Sequence, residues 1–308
     1  MNTKTKTKNI KQNSKLNSQL NNQYNYPYSI LIISICALFL FYKYVLQVFP
    51  SIMTEELMTK YNLQGVGMGN LAASYFKGYA ITQVFVGVLL DRFSVRYLST
   101  LALFTGSMGA YLFFKADTYA LASFARVLMG SGMAFATVCY LKTAAVRFKP
   151  QHYALVSGLL ATATMAGAFF AEAPLSFIQE HYGWQETVKL CAYVGFVITV
   201  LFWLFVKDSK HSASTDNSES HTVKLKDVLT VLKKPQNWLL TFYSGLAFSP
   251  VAVFGGLWGT PFLVSAYDFH KTTAATLVSM CFVGLAVGGP VLGWISDHFN
   301  ARKKVMIY

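Results

Sequence analysis

The stretch GVLLDRFSVR at Gly87–Arg96 returns in altered form as GWISDHFNAR at Gly293–Arg302. Each copy begins with glycine, followed by aspartate four residues later, phenylalanine six later and arginine nine later. A repeat of this kind, separated by a long polar connection, predicts two related halves of a duplicated protein. Aspartate and arginine at a membrane edge can make a charge-assisted contact that one conformation keeps and another breaks.

The composition around these copies is that of a polytopic membrane protein. Of the 308 residues, 54% are hydrophobic and only 13% are charged, whereas soluble domains carry about 25% charged residues. Eight segments are long and apolar enough to be predicted as membrane helices. They lie at about 28–49, 69–90, 97–115, 119–141, 153–178, 187–206, 237–265 and 273–295. The predicted fold class is therefore an all-α polytopic membrane protein.

The predicted helices and the polar segments between them divide the chain into four parts. These are a disordered cytoplasmic tail at 1–27, a six-helix bundle at 28–206, a cytoplasmic connection at 207–236 and an incomplete second bundle at 237–308. Apolar residues from Leu225 to Leu232 recur at helical spacing before Pro235. This spacing favours an amphipathic helix on the membrane surface, with a solvated linker as the alternative.

The formal net charge of +13 is concentrated in one set of loops. The tail, the even-numbered loops and the C-terminal end carry an excess of Lys and Arg, whereas the alternate loops carry a slight excess of Asp and Glu. The positive-inside rule then predicts a multi-pass inner-membrane protein with a cytoplasmic N-terminus. Because topology accounts for the basic charge, the lipid bilayer is the expected partner and no nucleic acid is predicted.

Patterns of enzymatic or metal chemistry are absent from the sequence. The four cysteines, Cys36, Cys139, Cys191 and Cys281, lie within apolar runs and lack the spacing of a disulfide framework or a zinc site. No motif for a catalytic nucleophile, a metal-dependent hydrolase or a phosphate-binding loop is found. We therefore predict that the protein is not an enzyme and has neither a cofactor nor a bound metal.

The repeated stretch resembles the signature loop of the major facilitator superfamily. The matching positions are Gly87, Asp91, Arg92 and Arg96 in the first copy and Gly293, Asp297 and Arg302 in the second. The usual second glycine is replaced by Ser94 and by Asn300. Arg126, followed by two glycines, also looks like the intramembrane arginine of that family. Finer details, including LWGTPFL at Leu257–Leu263, are similar to nutrient and amino-acid importers of intracellular gammaproteobacteria.

This resemblance implies the major facilitator fold, which has two bundles of six helices. The chain contains the first bundle and the first two helices of the second, so it is expected to be a fragment or a shortened gene product. We expect those last two helices to pack incompletely against the first bundle. The implied function is secondary active transport of a small polar nutrient, an amino acid or another organic anion, by alternating access. The signature loops would then act as conformational gates.

Three questions stay open within this functional hypothesis. Proton coupling, as in a symporter, is one, and the oligomeric state, for which a monomer is expected, is another. The third is whether the chain transports at all, because a non-transporting membrane protein, a sensor or an inactive remnant would share the same sequence features.

Four charged residues fall inside predicted helices, at Lys43, Lys77, Arg126 and Glu172. At 1.5 Å per residue, all four lie about 9–12 Å below the non-cytoplasmic face. A charge at this depth costs several kcal/mol unless it is paired or functional. We therefore predict that Arg126 and Glu172 approach each other, either to neutralise their charges or to tune a proton on Glu172.

Lys43 and Lys77 have no acidic partner left in the first bundle. They either line a cavity that favours a carboxylate or phosphate group or extend toward the outer headgroups. The candidate substrate and coupling residues are Lys43, Gln47, Lys77, Tyr79, Gln83, Arg126 and Glu172. On the second helix, the face of Lys77 and the face of Tyr79 and Gln83 are equally good candidates for the cavity wall.

The seventh predicted helix is rich in glycine and is interrupted by Pro250 and Pro261. A broken helix at membrane depth usually lines a cavity or a gate. An ordinary proline kink packed by small residues is the alternative.

Overall fold

A computed structural model of the protein describes residues 26–148, 150–207 and 234–298. Every regular element within these ranges is helical, which confirms the predicted all-α class. The predicted tail up to residue 25, the predicted amphipathic helix before Pro235, and Arg302 fall outside the described residues.

The helices follow one another with short turns between most of them. They are α1 (Tyr26–Val48), a 3-10 turn (Phe49–Ser51), α2 (Thr54–Tyr61), α3 (Gly65–Arg92), α4 (Val95–Lys115), α5 (Tyr119–Met133), α6 (Phe135–Arg147), α7 (Pro150–Phe205), α8 (Pro235–Pro250), a π-helical turn (Val251–Trp258), α9 (Gly259–Tyr267) and α10 (Lys271–His298). The sequence predicted only a loop at α2. This short helix forms because Glu55 and Glu56 lie in its first turn and Lys60 in its last, where each charge complements the helix dipole.

Seven helical segments are long and apolar enough to cross a membrane. One of them, Leu155–Phe205, has 51 residues, which would extend about 77 Å as a straight helix against a hydrocarbon core of about 30 Å. It breaks at Gly183, where φ is 81° and ψ is 162°, a conformation that is essentially limited to glycine. The arms 150–182 and 184–205 therefore cross separately, so eight crossings are present, as predicted.

Contacts between helix ends define two faces of the bundle. The Tyr28 hydroxyl donates to the carbonyl of Phe205 at 2.8 Å, and we call this end the proximal face. At the opposite end, the distal face, Lys60 Nζ donates to the carbonyl of Ala116 at 2.6 Å. Consecutive crossings therefore run antiparallel between these faces.

Glycines allow α5 to pack tightly between α3 and α4. A Cβ atom at Gly130 would lie 1.9 Å from the carbonyl oxygen of Tyr75, and one at Gly132 would lie 2.3 Å from that of Ala102. Any larger residue would push these backbones apart. The glycines thus fix the position of Arg126, which lies one turn earlier on α5.

The crossings differ in burial, and the seventh is the least buried of them. In the crossing Pro27–Ser51, 61% of the most apolar window is buried, compared with 6% in Pro235–Tyr267. No residue of α8 is buried, whereas α10 packs on α7 and has Ala274, Ala275 and Val278 buried. The expected incomplete packing is therefore confirmed for the seventh crossing, whereas the buried share of the eighth, 28%, equals that of Gly65–Arg92 in the first bundle.

Candidate functional site

Lys43 lies on α1 with its side chain inside the bundle, and the residue is only 7% exposed. Its Nζ donates to the Tyr79 hydroxyl and to Thr137 Oγ1, each at 3.3 Å. The same nitrogen lies 5.0 Å from the ring centre of Tyr44 and 4.8 Å from that of Tyr79. We call these four residues, Lys43, Tyr44, Tyr79 and Thr137, the Lys43 site.

The Lys43 site contains a buried cation and no anion. No carboxylate in the described part of the chain lies within 4.0 Å of Lys43 Nζ. Hydroxyl groups and aromatic faces partly compensate the ammonium charge. A full negative charge is the partner that is missing, so the site can accept a carboxylate or a phosphate group.

Three helices bring the Lys43 site together. Tyr75 and Tyr79 lie one turn apart on α3 with stacked rings, and the Tyr75 hydroxyl donates to the carbonyl of Lys43 at 3.3 Å. Thr137 comes from α6, just beyond the tight glycine packing of α5. The face of α3 that carries Tyr75 and Tyr79 therefore turns toward the interior.

Lys77 is not part of this site. Its residue is exposed, and it shares the outer side of α3 with Ile81 and Val84, which are 67% and 65% exposed. The sequence left open whether the face of Lys77 or the face of Tyr79 lines the cavity, and burial distinguishes these two faces of α3. Of the two lysines considered for a cavity, the structure places only Lys43 inside the bundle.

Two glutamines predicted as candidates are half-buried. The backbone carbonyl of Gln47 accepts a hydrogen bond from Arg126 Nη2 at 3.4 Å. Gln83 lies one turn beyond Tyr79, and its Oε1 is shielded from solvent with no hydrogen-bond donor among the described residues. Gln83 therefore offers an acceptor that a bound hydroxyl or ammonium group could use.

Arg126 is completely buried and binds the end of α1. Nη1 donates to the carbonyl of Leu46 at 2.6 Å, and the guanidinium carbon lies 4.8 Å from the ring centre of Tyr75 and 5.3 Å from that of Phe49. The structure contains no direct salt bridge between Arg126 and Glu172, so the direct form of the predicted pair is wrong.

Pro50 explains why Arg126 needs no carboxylate. Proline has no N–H group, so the carbonyl of Leu46, four residues earlier, lacks its usual helical donor. The carbonyls at the C-terminal end of a helix also carry a partial negative charge. Arg126 satisfies both demands at the end of α1. The spacing of Pro50 from Leu46 was the signal in the sequence that could have identified this partner.

Glu172 is also completely buried, but its partners are hydroxyl groups. One carboxylate oxygen accepts a hydrogen bond from Ser51 Oγ, and the other accepts from Thr260 Oγ1 at 2.9 Å. Ser51 belongs to the 3-10 turn after α1, and Thr260 belongs to α9. Sequence reasoning missed both partners, because neither hydroxyl lies on a helix next to α7 along the chain. Glu172 thus joins the first six crossings to the seventh.

The signature loop lies at the proximal face. Asp91 contacts a neighbouring helix, with its Oδ1 2.9 Å from Lys142 Nζ of α6. Arg96 Nε donates to the carbonyl of Trp203 at 2.9 Å. Arg92 is exposed, and a Cβ atom at Gly87 would meet no other atom within 4 Å among the described residues.

The second copy of the signature is only partly described. Gly293 and Asp297 lie within α10, as predicted for a helix that ends in this loop. In the described residues no group of three or more His, Cys, Asp or Glu side chains could hold a metal ion.

The chain is similar to several curated transport and sensor proteins. It is 24% identical over 266 residues to the hexuronate transporter of Bacillus subtilis (strain 168), covering 83% of this chain and 62% of that protein. It is 23% identical over 269 residues to the membrane sensor protein UhpC of Escherichia coli (strain K12), covering 82% and 61%. The chain therefore spans about three fifths of the length of these relatives.

The fold is shared with known structures. A bacterial homolog of the human lysosomal transporter Spinster, in an inward-facing and unoccupied conformation, superimposes with a TM-score of 0.74 at 15% identity. The match covers 90% of this chain and 64% of that one. The family model described as Major Facilitator Superfamily matches residues 31–308. With the signature loop, the eight crossings and this match in agreement, the chain belongs to the Major Facilitator Superfamily.

Proposed function

We propose that this protein takes part in secondary active transport of a small organic anion across the inner membrane by alternating access. The observation that carries the proposal is the buried, anion-free ammonium group of the Lys43 site. A charge at membrane depth is usually functional or paired, and Lys43 has only hydroxyl and aromatic partners. The hexuronate transporter among the relatives supports an anionic substrate.

The polar groups of Tyr79 and of Gln83, which lies one turn further along α3, favour a hydroxylated carboxylate over an amino acid. An amino acid brings an ammonium group, which an amide oxygen can bind but whose charge only an anion such as a carboxylate balances, and none of the described carboxylates lies within 4.0 Å of Lys43 Nζ. A sugar acid instead brings hydroxyl donors, which the free Oε1 of Gln83 and the Tyr79 oxygen can accept. This is the substrate class that we propose within the broader group of nutrient anions.

Uptake by membrane vesicles tests this proposal. A panel of D-galacturonate, galactarate, glutamate and inorganic phosphate would be compared in the parent and in Lys43→Met and Lys77→Met variants. We expect a sugar acid to be transported best and Lys43→Met to lower uptake about tenfold or more, since a charge-assisted contact is lost. Lys77→Met is the matched control, and an equal loss in both variants would contradict the assignment.

We further propose that Glu172 is the site of proton coupling. It is fully buried, accepts two hydroxyl hydrogen bonds, and has no cation of the described residues within 4.0 Å. Burying an unpaired carboxylate is costly, so a proton is a natural partner for this group in the closed state. In a Glu172→Gln variant, exchange of substrate across the membrane should continue while accumulation driven by a pH gradient stops. Loss of both activities would instead indicate a structural role.

The orientation of the protein follows from the same proposal. Arg92, Arg96, Lys142 and Arg147 all belong to the proximal face, which the positive-inside rule places in the cytoplasm. We also propose a division of the chain into a bundle at 28–206, a connection at 207–236 and the start of a second bundle at 237–308. A cysteine at Arg92 should then react with an impermeant reagent in inverted vesicles but not in intact cells.

A second candidate function is ligand sensing without transport. The membrane sensor protein UhpC matches 82% of this chain, which is nearly the same share as the transporter relative. The two functions differ in one measurement, because a sensor would bind the anion in detergent yet give no uptake into vesicles. Both candidate functions keep Lys43 as the anion-binding residue.

A further inference from the structure

The buried cations of the bundle limit how much negative charge a ligand can bring. Among the residues that the structure describes, Lys43 and Arg126 are the only buried lysine and arginine. The other described cations lie at the proximal or distal face or, like Lys77, on the outer side of α3. Arg126 donates to the carbonyls of Leu46 and Gln47, whereas Lys43 donates to hydroxyl groups. Lys43 is therefore the interior cation that a bound anion can neutralise.

The third buried charge in the described ranges is negative. Glu172 accepts from Ser51 Oγ and from Thr260 Oγ1, so it adds no positive charge to the interior. A second negative charge on a ligand would therefore find no cation of the described residues at this depth. An uncompensated charge inside a membrane protein is costly. The count of buried charges thus matches a ligand that carries one negative charge.

Gln83 lies where the far end of an anion bound to Lys43 would reach. It follows Tyr79 by one turn on α3, about 6 Å closer to the proximal face. A six-carbon acid spans a comparable length, because five carbon–carbon bonds of about 1.5 Å join its end carbons. Gln83 Oε1 is shielded from solvent and accepts from no donor in the described part of the chain. The far end of such a ligand therefore meets a neutral acceptor.

The amide of Gln83 distinguishes a hydroxyl group from a carboxylate. A terminal hydroxyl can donate a hydrogen bond to Oε1, whereas an ionised carboxylate has only acceptor oxygens and would face the lone pairs of Oε1. If the amide rotates, its NH2 group can donate to a carboxylate, but it supplies no positive charge to balance that group. A neutral terminal hydroxyl therefore fits beside Gln83 better than a second carboxylate does.

We infer that the Lys43 site selects sugar acids with a single negative charge and that Gln83 is the residue that disfavours acids with two. The inference rests on the proposed binding of a sugar acid by Lys43, and it narrows that substrate class. Aldonates and uronates, which have one carboxylate, are accepted, whereas aldarates, which have a carboxylate at each end, bind weakly. Sugar phosphates also bind weakly, since a phosphate monoester carries a charge of about −1.5 to −2 at neutral pH.

D-galactonate and galactarate test this selection because they differ only at one terminal carbon. The two acids share chain length and stereochemistry, but C6 carries a hydroxyl group in D-galactonate and a carboxylate in galactarate. Equilibrium dialysis of each radiolabelled acid against the purified protein gives the two Kd values. In the parent, the Kd of galactarate should exceed that of D-galactonate about tenfold or more. This ratio needs no variant, so it tests the inference even if a substitution at Gln83 prevents folding.

Adding a second cation at the far end should reverse the selection. In Gln83→Lys the ratio of the galactarate Kd to the D-galactonate Kd should fall about tenfold or more, because the new ammonium group can bind the second carboxylate. Val84→Lys is the matched control. It adds the same charge one residue further along α3, but Val84 is 65% exposed on the outer side of the helix. The ratio in Val84→Lys should stay at the value of the parent.

The possible results separate this inference from the proposed function. Equal Kd values for the two acids in the parent, or tighter binding of galactarate, would overturn the selection while anion binding at Lys43 stands. An unchanged ratio in folded Gln83→Lys, or an equal fall in Val84→Lys, would overturn the role of Gln83. If the parent binds neither acid, the proposed sugar-acid substrate is overturned together with the inference.

Discussion

Arg126 and Lys43 are two buried cations that lie on either side of the same pair of stacked tyrosines, Tyr75 and Tyr79. Arg126 donates to the carbonyls of Leu46 and Gln47, so its charge is balanced by the end of α1. Among the described residues, Lys43 is held only by hydroxyls and aromatic rings. The first cation is therefore part of the fold, whereas the second is the one that we propose binds a ligand.

The comparison shows that burial alone does not identify a binding residue. Both side chains are at least nine-tenths buried, and both come from helices of the same bundle. They differ in the partners around them, because Arg126 donates to backbone carbonyls at the end of α1, whereas Lys43 donates only to side-chain hydroxyls among the described residues. Variants of these two residues should therefore separate stability from binding.

The largest expected effect is on stability, in Arg126→Leu. The substitution leaves the carbonyl of Leu46 buried without a donor, because Pro50 has no N–H group, and this should lower the free energy of unfolding by about 3 kcal/mol. Denaturation in bicelles would measure this loss. Adding Glu172→Leu should not recover it, because the two side chains share no ion pair. Recovery of stability in the double variant would instead support an ion pair between Arg126 and Glu172.

A smaller effect on stability is expected when Pro50 is replaced, because Pro50 leaves the carbonyl of Leu46 without a helical donor. Pro50→Ala returns an N–H group at position 50, which can then bond to the carbonyl of Leu46. Arg126→Leu should accordingly cost about 1–2 kcal/mol less in the Pro50→Ala background than in the parent. A double-mutant cycle of unfolding free energies measures this coupling. If the changes in unfolding free energy from Arg126→Leu and Pro50→Ala are strictly additive, Pro50 is not the reason that the carbonyl of Leu46 accepts from Arg126.

Lys43→Met should change stability by no more than about 1 kcal/mol, and in the stabilising direction. The substitution removes a buried charge that lacks a counter-ion and replaces it with an apolar chain of similar length. The same bicelle denaturation, compared with Arg126→Leu, would check this expectation. A loss of stability as large as that of Arg126→Leu would erase the difference between the two cations.

The smallest expected effect lies at the distal face, away from both cations. The Tyr61 hydroxyl donates to the carbonyl of Ala116 at 2.9 Å, and burial, followed by the charge of Asp117, raises the pKa of Tyr61 to about 12. Because the folded state favours the neutral phenol, its contribution to stability is complete below the unfolded pKa of about 10. That contribution is then lost as the pH rises toward 12.

Melting temperatures of the parent and of Tyr61→Phe, measured from pH 8 to about 12, check this expectation. The parent should lose more stability than the variant above about pH 10. Parallel curves for the two proteins would contradict it.

Much of the fold could be predicted from the sequence because the bilayer limits the solutions. Hydrocarbon thickness sets helix length, so hydropathy predicted all eight crossings, and Gly183 falls between two of them. The π-helical turn lies next to Pro250, where the sequence placed the first break in the seventh helix. Helix α2 was missed because its eight residues are too short and too polar to stand out.

The candidate site was harder to predict because depth does not fix direction. Arg126 and Glu172 were placed correctly inside the bundle, but the rise per residue does not say which way each side chain points. Their true partners are backbone carbonyls at the end of α1 for Arg126, and hydroxyls of Ser51 and Thr260 for Glu172. Those partners depend on the turn at Pro50 and on packing between distant segments.

The central claim is that Lys43 binds an anion, and equilibrium binding tests it most directly. Radiolabelled D-galacturonate, or whichever anion of the uptake panel is preferred, would be titrated against the purified parent, Lys43→Met and Lys77→Met. We predict that Lys43→Met raises the Kd about tenfold or more while Lys77→Met leaves it unchanged. An unchanged Kd in Lys43→Met, with the protein folded as in the parent, would contradict the account.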